Sequence, residues 1–395
     1  MTSPRDASHI GTSSSSSERH RTRPRILVVF GTRPEAIKLC PLIKKLKEQA
    51  AFQTFVCATA QHRQILDQVL NMFDVKPDFD LDLMQAGQTL TSLSARLIAG
   101  LEQIFLGVKP SLAIVQGDTT TTLCAALCSF YTRVPIAHVE AGLRTFDLSA
   151  PFPEEMNRAV TSRLAALHFA PTEWAADNLK REGVDPKNIE VTGNTGIDAV
   201  LAIRESLEGG RMSGIDLPLD ARRKLIVVTA HRRESFGAGF LGICDAIAEL
   251  ASRDDVQIVW PVHPNPNVQG VVERTLQGKS NVVLIKPLDY LPFVDLMRQA
   301  YLLITDSGGV QEEGPALGKP ILVLREKTER PEAVTAGTVK LVGTDRASIV
   351  RESIRLLEDR TEYDRMARLH NPYGDGRASD RIMRRIEEYF FRPLQ

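Results

Sequence analysis

Residues 112–158 read LAIVQGDTTTTLCAALCSFYTRVPIAHVEAGLRTFDLSAPFPEEMNR and decide the fold. Two apolar runs, 112–115 and 135–139, each break into a polar turn, and a helical segment, 123–131, lies between them. This alternation predicts a parallel sheet, and groups just past the carboxyl ends of its strands line the ligand crevice. Asp118 and Glu140 follow the two runs, and Glu154 follows the proline-containing loop 151–153. We therefore expect the three carboxylates to face one cavity, an arrangement suited to proton transfer.

Length and composition bound the class of protein. The 395 residues suffice for two domains, and the 49 acidic and 49 basic side chains balance, so no nucleic acid or membrane partner is indicated. The five cysteines lie in apolar runs without a C-x-x-C motif, which is typical of reduced thiols in a cytoplasmic protein. No apolar run reaches the roughly 18 to 20 residues that a membrane helix needs. The serine-rich residues 1–23 are predicted to be a disordered tail without the apolar core of a secretory signal.

The alternation of strands and helices extends over the whole chain after the tail. In the first half, strands are predicted at residues 26–30, 55–59, 112–115, 135–139, 167–170 and 189–192. The polar segment 205–220 is predicted to be a linker, and strands resume at 225–230, 257–260, 282–285, 302–305, 321–324 and about 338–342. Repeated βα units predict an α/β fold with two Rossmann-like, doubly wound parallel-sheet domains facing a cleft. We assign them to residues 24–195 and 196–376, with a final helix, 377–395, returning to the first domain.

Two cationic turns occupy matching positions in the two halves. Residues 31–35, GTRPE, and 231–234, HRRE, each follow the first strand of their half. Pro34 and Glu35 fit the first turn of a helix, where backbone N–H groups and the Arg33 guanidinium can hold phosphate. Arg33 alone could equally be a surface residue, but the repeat at His231 favours a diphosphate between the domains.

Residues 305–313, TDSGGVQEE, form a second concentrated signal. Gly308 and Gly309 follow a strand, where backbone can approach a ligand closely and the helix start favours anions. Glu313 could accept both hydroxyls of a ribose. Phe293 could stack on a base, although a single aromatic residue in an apolar helix more often packs in the core. Paired glycines alone are weak evidence, because turns need glycine in any case.

Each acid also has a structural interpretation: Asp118 as a helix N-cap, Glu140 as a partner of Arg144, and Glu154 at a favourable helix start. As a set beside a diphosphate, they should have pKa values raised by burial and like charge. His62, His138, His168 and His263 are mostly structural candidates. We expect no catalytic metal, because no metal-ligand spacing occurs.

These motifs, together with QHR at 61–63, GDTTTT at 117–122, HVEAGLRT at 138–145 and TERPE at 328–332, resemble one family. From about residue 25 to 389 the chain resembles the bacterial non-hydrolysing UDP-N-acetylglucosamine (UDP-GlcNAc) 2-epimerases. The resemblance implies a GT-B fold, a homodimer, and interconversion of UDP-GlcNAc and UDP-N-acetylmannosamine (UDP-ManNAc) without a redox cofactor. It further implies elimination of UDP to a 2-acetamidoglucal intermediate followed by re-addition, in the supply of cell-surface polysaccharide precursors.

The resemblance also implies roles for individual residues, matched motif by motif. Catalytic roles fall to Asp118, Glu140, Glu154 and His231. Substrate binding falls to Arg33, Lys38, Phe293, Ser307, Gly308, Gly309 and Glu313. Residues that match a second, activating UDP-GlcNAc site are Gln61, His62, Gln64 and His263. The alternatives are a hydrolysing 2-epimerase, an epimerase for a diacetamido sugar, a GT-B glycosyltransferase, and a UDP-sugar-binding regulator without turnover.

Overall fold

A computed structural model of the chain describes residues 23–59, 63–85, 87–328 and 330–392, apart from the side chains of residues 63–65 and 233. Its first sheet has seven strands: β1 (Arg25–Phe30), β2 (Gln53–Ala58), β3 (Phe79–Asp80), β4 (Leu112–Gln116), β5 (Ile136–Val139), β6 (Leu167–Ala170) and β7 (Ile189–Val191). They are parallel, in the order β3-β2-β1-β4-β5-β6-β7. The strand order reverses between β1 and β4, and ligands of such sheets bind at this point of reversal.

The second sheet repeats this plan with six parallel strands in the order β10-β9-β8-β11-β12-β13. Its strands are β8 (Lys224–Thr229), β9 (Val256–Pro261), β10 (Val282–Ile285), β11 (Leu302–Thr305), β12 (Ile321–Val323) and β13 (Val339–Leu341). The order reverses between β8 and β11. The predicted architecture of two doubly wound parallel-sheet α/β domains is therefore confirmed.

Helices connect the strands. Those of the first half are α1 (Arg33–Glu48), α2 (Arg63–Met72), α3 (Leu90–Val108), α4 (Thr120–Tyr131), α5 (Glu154–Leu164), α6 (Glu173–Arg181) and α7 (Thr195–Glu208). Those of the second half are α8 (Ala238–Leu250), α9 (Pro266–Leu276), α10 (Tyr290–Gln299), α11 (Gly308–Ala316), α12 (Pro331–Ala336), α13 (Arg346–Glu358), α14 (Arg360–Ala367) and α15 (Ala378–Phe391). Short 3-10 helices occupy Pro186–Asn188 and Arg233–Ser235.

Local chemistry explains where the elements nearest the cleft begin. Helix α1 starts with a capping box in which Thr32 and Glu35 satisfy each other's backbone N–H groups, and Pro34 lies in its first turn. Glu35 is almost fully buried and also accepts from Thr119 Oγ1 at 2.7 Å, which ties α1 to the turn after β4. Gly31 lies so close to Thr59 and to Thr121 of α4 that a Cβ there would be 2.4 Å from the hydroxyl oxygen of each.

Three local predictions need correction. Helix α4 begins at Thr120 and is capped by Thr119, so the interpretation of Asp118 as its N-cap and a helix start at residue 123 are both wrong. Helix α7 runs to Glu208, so the predicted linker 205–220 begins inside a helix. The second cationic turn leads into a 3-10 helix, and α8 starts only at Ala238, unlike α1, which starts directly after its turn.

The chain crosses between the domains at two places that touch. Gly193 and Gly374 both have positive φ, and a Cβ on Gly193 would lie 3.3 Å from the Gly374 Cα. The Asn194 N–H donates to the Tyr373 carbonyl at 2.7 Å. Helix α15 then packs on α1 and α7, and its Phe390 ring lies 5.9 Å from that of Phe52. The predicted boundaries at residues 195 and 376 stay a proposal.

The structure also bears on the predictions about cysteines and membrane helices. All five cysteines are buried and free. Within the part of the chain that the structure describes, no helix is both long and apolar enough to cross a membrane.

Candidate active site

Asp118 lies just beyond the carboxyl end of β4. Gly117, with φ of 71°, makes the turn, and buried His138 donates from Nε2 to the Gly117 carbonyl at 2.7 Å. Two residues of α5 hold Asp118 itself: Arg158 Nη1 donates to Oδ2 at 3.0 Å, and Asn157 Nδ2 donates to the backbone carbonyl at 2.8 Å. The carboxylate is thus fixed in position by the neighbouring strand and by α5.

The surroundings of Asp118 favour its protonated form. Burial raises the pKa of Asp118 to about 6, Arg158 opposes the rise, and the charges of Glu140 and Glu154 add to it. This is the direction predicted from the sequence. A carboxyl group with a pKa near 6 can both give and take a proton near neutral pH.

Glu140 follows β5 on the neighbouring strand and adopts φ of 63°, which is uncommon for a residue other than glycine. Lys38 of α1 forms an ion pair with it, and Gln116 Nε2 donates to Oε2 at 2.9 Å. Arg144 instead pairs with Glu182 at 2.6 Å, so the interpretation of Glu140 as a partner of Arg144 is wrong. Burial lowers the pKa of Lys38, but Glu140 and then Glu312 outweigh it and raise that pKa to about 12.

Glu154 is the first residue of α5 and is half-buried. Its charge contributes to the raised pKa of Asp118. The next residue, Glu155, is buried and accepts from Arg158 Nε at 2.7 Å. Arg158 therefore bridges Glu155 and Asp118, a contact that sequence reasoning missed because both partners depend on how α5 packs.

His231 lies beyond the carboxyl end of β8 in the second domain. The carboxylate of buried Asp306 accepts the backbone N–H groups of His231 and Arg232 at 2.6 and 2.7 Å, and its other oxygen lies 3.5 Å from His231 Nδ1. The ring of His263 stacks on that of His231, with centroids 5.3 Å apart and planes 8° apart. Sequence reasoning did not single out Asp306 as a site residue, although an acid at the end of an apolar strand was a usable signal.

The glycine turn of the second domain starts α11, with Ser307 at its N-cap and Gly308 and Gly309 as its first residues. The guanidinium of Arg330 lies against this turn, since a Cβ on Gly308 would be 2.9 Å from Arg330 Cζ. Arg330 Nε donates to Glu312 Oε1 at 2.8 Å. The turn therefore presents backbone N–H groups beside a held cation, which together suit an anion. Arg330 belongs to the TERPE motif at 328–332, but the sequence alone did not indicate a role for it.

Glu313 and Phe293 lie on neighbouring helices near this turn. Tyr290 donates its hydroxyl to Glu313 Oε1 at 3.2 Å. Burial and the adjacent charge of Glu312 raise the pKa of Glu313 to about 8, although Tyr290 opposes the rise. Phe293 is half-buried and packs against the core of the second domain.

Arg33 is exposed at the start of α1 and lines a cavity of about 460 Å³ together with Met72, Met212, Tyr290 and Leu291. Asp118, Glu140 and His231 do not line this cavity. Gln61 and His62 fall outside the described residues, as does the side chain of Gln64. Among the residues with described side chains, no group of three or more His, Cys, Asp or Glu could hold a metal ion.

Comparison with known proteins identifies the family of this chain. The family model described as UDP-N-acetylglucosamine 2-epimerase matches residues 44–387. The chain belongs to this family. The UDP-N-acetylglucosamine 2-epimerase of Salmonella typhimurium is 54% identical over 371 residues, which cover 92% of this chain and 99% of that protein. The enzyme of the same name from Escherichia coli K12 is 54% identical over 369 residues, covering 92% of this chain and 98% of its own.

Solved structures of UDP-N-acetylglucosamine 2-epimerases have the same fold. The Neisseria meningitidis UDP-GlcNAc 2-epimerase bound to UDP-GlcNAc is 45% identical, covers 92% of this chain and 100% of its own, and superposes with a TM-score of 0.83. The Methanocaldococcus jannaschii enzyme in complex with UDP-GlcNAc and UDP is 31% identical, with 92% and 99% coverage and a TM-score of 0.71. The predicted GT-B-like arrangement of two domains agrees with these likenesses.

Proposed function

We propose that this protein interconverts UDP-GlcNAc and UDP-ManNAc by inverting the configuration at C2 of the sugar. Membership of the UDP-N-acetylglucosamine 2-epimerase family supports the substrate. One observation in the site carries the chemistry: Asp118, with a pKa of about 6, lies at the end of β4, and Glu140 lies at the end of the adjacent strand. Two carboxyl groups in different electrostatic surroundings suit an acid and a base.

The reaction proceeds by elimination and re-addition. The C2–H of the sugar is not acidic by itself, but positive charge that develops at C1 as the C1–O bond to UDP breaks makes it acidic. A carboxylate takes the C2 proton, the C–H electrons form the C1–C2 double bond, and UDP leaves with the C–O electrons. Re-addition of UDP to C1 of the resulting 2-acetamidoglucal, with a proton delivered to the other face of C2, gives the epimer. Atoms balance, and no oxidation occurs.

Asp118 and Glu140 are assigned to the two proton transfers, and Glu154 supports them by its charge. Lys38 pairs with Glu140 and is assigned to hold this carboxylate in place. His231, held through its backbone by Asp306, is assigned to the diphosphate, where positive charge would stabilise the leaving group.

Nucleotide binding is assigned to the second domain together with Arg33 of the first. Ser307, Gly308 and Gly309 would bind the diphosphate with Arg33, Glu313 would accept the ribose hydroxyls, and Phe293 would lie near the uracil. The Arg330 guanidinium beside the glycine turn supports the diphosphate assignment. The Neisseria meningitidis UDP-GlcNAc 2-epimerase was solved bound to UDP-GlcNAc, which supports a nucleotide sugar as the ligand.

Three further assignments belong to the same proposal. His263 would contribute to a second UDP-GlcNAc site with Gln61, His62 and Gln64, and its stacking on His231 would link that site to the catalytic residue. A homodimer would cover the exposed apolar side chains at the carboxyl ends of α3 and α4, namely Leu106, Phe130 and Tyr131. Free, buried cysteines suit a cytoplasmic location, where the product would supply cell-surface polysaccharides.

The deciding experiment incubates the purified protein with UDP-GlcNAc in D₂O and follows the sugar by proton NMR. We expect UDP-ManNAc to appear with deuterium at C2. Once equilibrium is reached, both UDP-GlcNAc and UDP-ManNAc should carry deuterium there. Product without deuterium would contradict proton exchange at C2. Free ManNAc with UDP would move the protein to the hydrolysing enzymes, and binding without any conversion would favour a regulator.

A further inference from the structure

Glu312 is a buried carboxylate that connects elements of both domains. It lies on α11, and only 7% of the residue is exposed. Its Oε1 accepts from Arg330 Nε at 2.8 Å, and its Oε2 accepts from Asn194 Nδ2 at 3.0 Å. Asn194 stands where the chain first crosses between the domains, and its own Oδ1 caps α7 by accepting from the Gly196 N–H at 2.8 Å.

Lys38 of the first domain reaches the same place. A Cβ on Gly196 would lie 3.6 Å from Lys38 Cε, so the lysine stem packs on the start of α7 that Asn194 caps. The ammonium group at the end of this stem pairs with Glu140. Lys38 thus stands between the carboxylate of Glu140 and that of Glu312.

Four charges therefore alternate along this path: Glu140, Lys38, Glu312 and Arg330. Burial alone would raise the pKa of Glu312, but Arg330 and then Lys38 outweigh it and hold that pKa below its ordinary value. In return, Glu312 is one cause of the raised pKa of Lys38. A buried carboxylate is stable only when such partners compensate its lost hydration.

We propose that Glu312 is a positioning residue of the reaction, which holds Arg330 over the glycine turn of one domain and Lys38 beside Glu140 of the other. The proposal rests on the function proposed above, because it assumes a diphosphate at the turn and proton transfer at Glu140. Glu312 itself touches neither reacting atom. Glu312 instead acts through Lys38 and Arg330, the two cations assigned to positions beside the reacting groups.

Removing the charge of Glu312 has a defined electrostatic consequence. With glutamine at this position, Lys38 keeps its ion pair with Glu140 but loses the second negative charge that raises its pKa. Lys38 then loses its proton more easily, because one of the two carboxylates that raise its pKa is gone. The other titratable groups that face Glu312 are Glu313 on its own helix and Tyr373 from the second crossing.

The chain offers a matched control in Glu332, a second carboxylate that connects the domains. Its oxygens accept from Thr172 Oγ1 at 3.0 Å and from the Tyr373 hydroxyl at 3.4 Å, so both of these partners are neutral. Glu332→Gln therefore removes an interdomain carboxylate without removing a counter-charge of Lys38. A merely structural role of Glu312 would make the two glutamine variants alike.

The test compares wild type, Glu312→Gln, Glu312→Asp and Glu332→Gln. At pH 9 the initial rate of acetylation of Lys38, followed by mass spectrometry, is expected to rise roughly tenfold in Glu312→Gln, the ratio that corresponds to one pKa unit. In the epimerase assay kcat should fall at least about tenfold while KM changes less than about threefold, because the carboxylate acts on the chemical step.

Glu332→Gln is expected to leave both the Lys38 acetylation rate and kcat within about twofold of wild type. Glu312→Asp retains the negative charge and should keep the acetylation of Lys38 as slow as in wild type. If thermal unfolding shows that Glu312→Gln does not fold, Glu312→Asp becomes the informative variant. In that case unprotected Lys38 in Glu312→Asp would overturn the proposal.

Equal acetylation and equal kcat in Glu312→Gln and Glu332→Gln would also overturn it. A wild-type protein that does not epimerise UDP-GlcNAc would refute the proposed function instead. The acetylation comparison would then still decide whether Glu312 controls Lys38.

Discussion

Replacing Asp118 with asparagine is expected to make the protein more stable and much less active. Burial is the main reason that the pKa of Asp118 rises from 3.8 to about 6, so folding favours its protonated form. The rise is about two units, and each unit corresponds to about 1.4 kcal/mol. Ionised Asp118 thus lowers the free energy of unfolding by up to about 3 kcal/mol, and the uncharged asparagine removes this penalty.

The gain in unfolding free energy of Asp118→Asn must increase as the pH rises. A group whose pKa is raised in the folded state stabilises the protein below its unfolded pKa and loses that contribution as the pH rises through its folded pKa. Wild type and variant should therefore be alike near pH 4, diverge between about pH 4 and 6, and differ fully at pH 8. For a domain of about 150 to 250 residues, 3 kcal/mol corresponds to a rise in Tm of up to about 6 to 12 °C.

Calorimetric unfolding at pH 4 and pH 8 measures this difference. Asp177→Asn is the control, because Asp177 only pairs with exposed Lys180 on the surface of α6, where such pairs contribute little. In the D₂O assay, Asp118→Asn should reduce C2 exchange roughly 100- to 10,000-fold, the range typical of a lost general acid or base. A variant with a Tm at pH 8 no higher than wild type, or with undiminished exchange, would refute this reasoning.

Three other predictions concern the second domain. His231→Ala should lower turnover at least about 100-fold without unfolding the protein, and near-normal turnover by NMR would exclude His231 from the reaction. Gly308→Ala should weaken UDP binding in calorimetry, because the added Cβ would lie 2.9 Å from Arg330 Cζ, and an unchanged affinity would contradict that account of the turn. UDP affinity should rise as Glu313, with its pKa of about 8, ionises between pH 7 and 9. Tyr290→Phe removes a group that lowers this pKa, so the midpoint should move to higher pH, and calorimetry showing no shift would count against Glu313 as the ribose acceptor.

The strands were the most predictable part of the fold. Leu167–Ala170 and Leu302–Thr305 have the bounds predicted from the sequence, because inner parallel strands are buried on both faces and appear as uninterrupted apolar runs. Val282–Ile285 also has its predicted bounds, although it is a half-buried edge strand, because it too is an uninterrupted apolar run. The two-residue strand Phe79–Asp80 was not predicted, since so short an edge strand carries no periodic pattern. The start of α4 was misjudged because several consecutive threonines could each have capped it.

The carboxylates could be placed at one edge of the sheet from strand order alone, but their partners could not. Lys38 and Glu140 are 102 residues apart, and Asp118 and Arg158 are 40 apart. Such pairs depend on how helices pack on the sheet, which no local pattern specifies. Nearby Arg144 was therefore considered as a partner of Glu140, whereas in the folded chain Arg144 forms an ion pair with Glu182.

The contact between the two interdomain crossings has a mechanical consequence. Because Gly193 and Gly374 meet, the two chain crossings form one small pivot, and glycines with positive φ can absorb rotation there. Groups beside such a pivot barely move when the domains swing, whereas groups at the far rim travel most. Asn194 and its bond to Glu312 lie at the pivot. A rotation of the domains about this pivot would therefore open the outer part of the cleft while the charges beside Asn194 stay assembled.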